Sequence, residues 1–357
     1  MIISRTPFRI SFFGGGTDYP AWYRDHGGTV LGATIDKYCY LPCRYLPPFF
    51  KHRIRIVYSQ IENCQAVDEI AHPAVREVLR YLQIDRGVEI HHDGDLPARS
   101  GMGSSSAFTV GLLHALYALK GQMPTKRQLA AESIQIEQEM IKETVGSQDQ
   151  VLAAFGGFNH VVFSQDGEIT VKPITLSGDR LRELSSHLML FYTGIERTAS
   201  DVAGSYVADV DGKRSQLRIM KGLVEESLAI LNNGRDITAF GALLDEGWKA
   251  KRSLSARVSN SYVDELYAHA IANGALGGKL LGAGGGGFML LFVPPSKQNQ
   301  VKEALKRFIS VPFHFDFSGS QIIFYDHEKD YSAEEKIRDS REYHFVGELN
   351  DRLDRDL

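Results

Sequence analysis

The stretch LPARSGMGSSSAFTVGLLHALYAL, from Leu96 to Leu119, constrains this chain more than any other. Glycines and serines crowd together, and a long apolar run follows. Phe108, Leu112, Ala115, Leu116 and Leu119 recur at helical spacing and predict a helix over about 105–120. A helix start presents free N–H groups and a partial positive charge. Small residues just before it let a phosphate approach the backbone. Gly101, Gly103, Ser104, Ser105 and Ser106 satisfy that need. A flexible connector ending in an ordinary N-cap would satisfy the same pattern, so the choice rests on the rest of the chain.

At 357 residues and 43% hydrophobic content, the chain can build two domains or one elaborated domain. A net charge of −4 gives no footprint of a nucleic-acid or membrane-surface protein. The three cysteines, Cys39, Cys43 and Cys64, make neither a disulfide framework nor a zinc set, and read as thiols of a reducing compartment. No apolar stretch approaches the roughly 20 residues of a membrane span. The opening MIISRTPFRISF lacks a signal peptide's apolar region, so a cytoplasmic location is expected.

Alternating and β-branched runs predict strands over 2–13, 29–42, 53–59, 87–92, 188–192 and 322–325, and a hairpin over 159–163 and 169–174. Helical patterns cover 72–82, 126–143 (with Thr125 as N-cap), 215–232, 237–254, 261–273 and 301–308. Beyond Glu328 the mixed charge reads as a solvated helix or a frayed end. Without strict βαβ alternation the pattern favours α+β, divided near residue 185 into segments 1–185 and 186–357.

A Walker loop fails, because Gly278-Lys279 is followed by Leu280 and Asn273 stands where the first glycine belongs. Gly282, Gly284 and Gly287 fit G-x-G-x-x-G. Yet the preceding segment reads as helical and Phe288 to Val293 as a strand, the reverse of a dinucleotide fingerprint. The glycine run instead suits close backbone packing, against a ligand or another loop.

Glu137 lies in the predicted helix 126–143 with Ser133, Ile134, Met140 and Ile141 around it, the more apolar face. An inward carboxylate is costly unless paired or metal-bound, so Glu137 is either a functional group or half of a buried ion pair. Asp149, in VGSQDQ, falls just past the helix and alone reads as a turn residue. In RISFFGGGTDYP a strand runs into three glycines, with Arg9 before them and Gly16, Thr17, Asp18 and Tyr19 at the strand end, a frequent position for ligand contacts.

Together these motifs resemble the GHMP kinase superfamily. LPARSGMGSSSAF resembles its phosphate loop, with Met102 for the usual leucine and Ser106 for an alanine. RISFFGGGTDY and KLLGAGGGGF resemble its N- and C-terminal motifs. The resemblance spans nearly the whole chain except the charged tail. It implies a two-domain fold: an N-terminal domain like ribosomal protein S5 domain 2, and a C-terminal ferredoxin-like α/β sandwich. It also implies ATP and Mg²⁺. Ser100, Gly101, Met102, Gly103, Ser104, Ser105 and Ser106 would receive the ATP phosphates, and Ser105 and Glu137 would hold the metal. An Asp twelve residues past that Glu, within G-x-x-D-Q, carries the catalytic role to Asp149; Gly146 and Gln150 match too. Arg9 would stand beside it.

Gly16, Thr17, Asp18, Tyr19, Gly284, Gly285 and Arg197 would meet the substrate. Lys249, Lys251 and Arg252 are further cations for a substrate phosphate. FGGGTDYP and FYTGIERTASDV most resemble the branch that phosphorylates the anomeric hydroxyl of a heptose phosphate; fucose and galactose kinases and inactive sugar sensors are the alternatives. The expected partner is a small sugar phosphate, with no nucleic acid and no membrane, and a homodimer is the open assembly.

Overall fold

A computed structural model describes residues 1–195, 199–232, 234–327, 329 and 331–340. Arg197 lies outside the described residues. The chain opens with β1 (Ile2–Phe13), which pairs antiparallel along most of its length with the 18-residue β2 (Gly28–Tyr45). Their register shifts between Pro7 and Arg9 and again between Ser11 and Phe13. Such irregularities re-aim side chains, and these flank Arg9 and Ser11. The first half of β2 pairs with Phe158–Phe163 and the second with Val88–His91, within a ten-stranded sheet.

The predicted helix after the glycine-serine stretch is α1 (Ser104–Leu119). Sequence showed one apolar face, but the structure buries the helix nearly all round, including Val110 and Leu113. It lies against β1 and β2 and carries the phosphate-loop candidates at its start, where Ser105 is exposed and Ser106 buried.

The predicted helix 126–143 divides. α2 (Lys126–Gln135) passes into a π-helical turn over Ile136–Met140, closed by Ile141 N–H donating to Ile136 O at 2.9 Å. Lys142 then takes a left-handed φ of 63°. The wider turn carries Glu137, and turns of this kind recur at functional sites.

Asp149 is not in a loop. It occupies the first turn of α3 (Gln148–Phe155), where a carboxylate is favoured by the helix N-terminus. The turn chemistry of Gly146-Ser147 is the entry to this helix, which sequence reading missed.

The second region places α4 (Thr238–Arg252) against a four-stranded sheet containing β3 (Gly277–Leu280) and β4 (Phe288–Phe292). The segment just before the glycine run is therefore a strand, not a helix, and the run turns the β3–β4 hairpin. The dinucleotide reading still fails, since a strand rather than a helix follows. Phe315–Asp316 and β5 (Gln321–Tyr325) then return to the large sheet, beside β2 and β1. Phe12 and Phe13 from β1 meet Phe240 of α4 at 5.7 and 5.1 Å between ring centroids, joining the regions through aromatic contacts.

Candidate active site

The phosphate loop and the β3–β4 turn pack backbone to backbone. A Cβ on Gly101 would lie 2.6 Å from Leu281 O, and Phe288 N–H donates to Ser100 O at 3.1 Å. Glycine is needed there for this approach. The run thus met another loop, one of the two options its composition left open.

A cavity of about 220 Å³ opens beside this junction. Its walls include Gly101, Gly103, Ser104, Ser105 and Ser106 of the loop, Gly15, Gly16, Asp18 and Tyr19 of the N-terminal motif, and Arg9 and Asp149. Arg9 and Asp149, 140 residues apart, form a two-bond pair: Nε donates to Oδ1 at 2.7 Å and Nη2 to Oδ2 at 2.6 Å. Arg9 Nη1 donates to Gly101 O at 2.7 Å, and Arg9 N–H to Met102 O at 3.1 Å. One residue thereby fixes both the aspartate and the loop. The planar fork suits this geometry better than an ammonium would.

Asp18 is 1% exposed. Its Oδ1 accepts from Gly16 N–H at 2.8 Å and its Oδ2 from Gln148 N–H at 3.2 Å. Burial raises its pKa, with the nearby charge of Asp149 adding to the effect, while the backbone donors pull it down.

Glu137 is buried behind the cavity wall. Its Oε2 accepts from Ser106 Oγ at 2.9 Å and from Gln150 Nε2, while Oε1 has no partner. Burial pushes its pKa up to about 7, against hydroxyl and amide donors that lower it. The serine meeting Glu137 is Ser106, not Ser105. On α1 the Ser106 side chain turns inward, while Ser105 stays exposed on the cavity wall.

Several of the expected residues are bonded or packed within the scaffold. Thr17 Oγ1 donates to Gly14 O and Thr29 O and accepts from Thr29 N–H, and Thr17 does not line the cavity. Ser100 donates to Pro97 O, and Met102 is buried in the core. Gly284 and Gly285 sit against Val258; Gly282 and Ala283 are the turn residues on the cavity wall. Among the further cations, Lys249 pairs with Asp245 and Arg252 with Asp264. Lys251 is buried in the wall, its Nζ donating to Leu280 O and Gly282 O.

Sequence reading missed Lys279 as a site residue. It lies in β3, 6% exposed, and lines the cavity with Nζ donating to Phe12 O at 2.8 Å. Burial and the nearby Arg9 charge lower its pKa to about 7. A lone lysine between glycines and leucines was the available signal, since a buried charge needs a reason.

A two-region α+β chain whose glycine-serine helix start faces an Arg–Asp pair has the form of a small-molecule phosphotransferase. Residues 69–157 match the family model for the GHMP kinases N terminal domain and residues 220–311 that for the GHMP kinases C terminal. The chain belongs to the GHMP kinases, and is an ATP-dependent phosphotransferase acting on a sugar hydroxyl. It is 29% identical over 319 residues to D-glycero-alpha-D-manno-heptose 7-phosphate kinase of Campylobacter jejuni, covering 86% of this chain and 93% of that one. A galactokinase of Thermococcus kodakarensis is 25% identical over 330 residues, covering 82% and 89%. The crystal structure of a D-glycero-D-manno-heptose 1-phosphate kinase from Bacteroides thetaiotaomicron superposes with a TM-score of 0.75 at 23% identity, over 92% of this chain and all of that one. A mevalonate kinase structure superposes at 0.68 with 17% identity, over 88% and 99%. These structures share the two-domain fold.

Proposed function

We propose that the protein transfers the γ-phosphoryl group of ATP to the anomeric hydroxyl of D-glycero-D-manno-heptose 7-phosphate, giving the 1,7-bisphosphate on the route to GDP-heptose. The observation that carries this reading is the Arg9–Asp149 pair, held between the phosphate loop and Asp18 in one cavity. The likeness to the Campylobacter jejuni kinase supports the choice of sugar. The boundary near residue 185 is proposed as the division between the two domains, with β5 crossing back.

ATP phosphates lie along Gly101–Ser106 at the start of α1, where backbone N–H groups and hydroxyls receive them. Asp149 accepts a hydrogen bond from the sugar hydroxyl and aims its oxygen at the phosphorus. Arg9 holds that carboxylate still and places positive charge beside the transferred group. Asp18, fixed by two backbone donors, accepts from sugar hydroxyls. Glu137 and Ser106 offer hard oxygen donors, and the unpartnered Glu137 Oε1 fits a cation that takes one carboxylate with phosphate oxygens and waters. Glu137 and Ser106 would hold Mg²⁺, which would supply charge neutralisation on the phosphates. Three free, buried cysteines suit the reducing cytoplasm proposed as its location.

The test is ATP consumption with heptose 7-phosphate, free heptose, fucose, galactose and mevalonate, using wild type and Asp149→Asn. Heptose 7-phosphate should be preferred, and the variant should lose nearly all transfer at similar ATP affinity. Preference for an unphosphorylated sugar overturns the choice of substrate. Near-wild-type turnover by Asp149→Asn overturns the role of that residue.

A further inference from the structure

Lys279 is the one lysine of β3, and β3 belongs to the C-terminal family segment, whereas Arg9, Asp18 and Asp149 all lie in the N-terminal part. An ammonium has three donors. Among the described residues Lys279 Nζ meets one acceptor, Phe12 O. The charge of Asp18 reaches Lys279, yet among the described residues the two form no ion pair. A buried cation and a buried carboxylate thus border the same cavity without closing on each other.

A desolvated ammonium with spare donors is costly unless a ligand meets it. Of the charges on the cavity wall, Arg9 and Asp18 are the two that act on Lys279. An anion placed between Lys279 and Asp18 would lie against a buried carboxylate, so that gap does not suit a phosphate. A hydroxyl suits it, because one oxygen can accept from the ammonium while its hydrogen goes to the carboxylate. Two more unpartnered polar atoms belong to residues of the same cavity wall. Ser11 Oγ and Gln148 Oε1 are buried without partners, and both side chains flank Gly15 on the cavity wall.

We propose that Lys279 and Asp18 together grip one hydroxyl of the sugar acceptor, Lys279 donating to its oxygen and Asp18 accepting its hydrogen, so that the C-terminal domain takes part in choosing the sugar. This rests on the sugar-kinase reading above. It places a neutral, hydroxyl-bearing part of the acceptor at the buried end, and leaves any acceptor phosphate to the open side of the cavity.

The test is steady-state kinetics of wild type, Lys279→Met and Lys279→Gln, with ATP and heptose 7-phosphate varied in turn, alongside thermal unfolding. Loss of a charged hydrogen bond should raise the sugar KM of Lys279→Met about tenfold or more. Its ATP KM should stay within about twofold of wild type. Lys279→Gln, which keeps a donor, should fall between the two. Removing a desolvated charge should leave the melting temperature of Lys279→Met unchanged or higher, whereas a merely structural lysine would lower it and disturb both KM values. An unchanged sugar KM, or equal rises in both, overturns the proposal. A wild-type enzyme that phosphorylates none of the sugars overturns the sugar-kinase reading instead.

Discussion

At the scale of single residues, the site joins groups whose proton affinities burial moves in opposite directions. Glu137 holds its proton more tightly in the folded than in the unfolded chain. Its contribution to stability is therefore full below about pH 4.5 and is lost as pH rises through about 7. Lys279 behaves oppositely: its lowered pKa gives stability present above its ordinary value and lost as pH falls through about 7. The two effects separate by mutation. In metal-free protein at pH 8, Glu137→Gln should be more stable than wild type by roughly 3 kcal/mol, with the gap closing toward pH 4.5. Urea unfolding at both pH values measures this; a gap of the same size at each would mean that ionisation of Glu137 is not its source. Sequence singled out Glu137 by its helical face, and Asp149 only through the family resemblance. It could not show which serine meets Glu137, because that depends on the rotation of α1 about its axis. It passed over Lys279 because a lysine in a four-residue strand looks like any surface charge until the strand is buried.

At the scale of elements, the entry to α3 is the sharpest constraint. Gly146 precedes the helix, and a Cβ there would fall 1.9 Å from Asp18 Oδ2. Gln148 N–H, at the helix start, is one of the donors that hold the same carboxylate. Gly146→Ala should thus displace Asp18, raise the sugar KM at least tenfold and cost about 1–3 kcal/mol of stability. Kinetics with ATP and sugar varied in turn would check it, since a defect shared equally by both substrates would place the strain elsewhere. The long elements were legible: β1, α1, α4 and the 159–174 hairpin arise where predicted, because their periodicity extends over many residues. The helices Pro20–His26, Gln148–Phe155 and Gly178–Ser186 were not, being short and set among glycine, serine and charged residues. The π-helical turn at Glu137 was also out of reach, since a one-residue widening leaves the apolar spacing almost unchanged.

At the scale of the whole molecule, the two regions share packing as well as a cavity. Phe240 of α4 is fully buried and touches Phe12 and Phe13 of β1 and Phe292 of β4. Phe240→Ala should cost about 3–5 kcal/mol and lower ATP and sugar turnover together, because it loosens the seam beneath both loops. Urea unfolding would measure the loss; a cost below about 1 kcal/mol would mean that the seam is not tightly packed. By itself the sequence determined the family and the glycine-serine stretch at a helix start, since these reside in local spacing and in small residues where backbone must come close. Only the tertiary structure decided that Arg9 clasps Asp149 and Gly101 at once, that the Thr17 and Ser100 hydroxyls bond within the fold, and that Lys279 reaches the cavity from the second sheet. Those facts depend on burial and on contacts between residues more than a hundred positions apart, which no local pattern encodes.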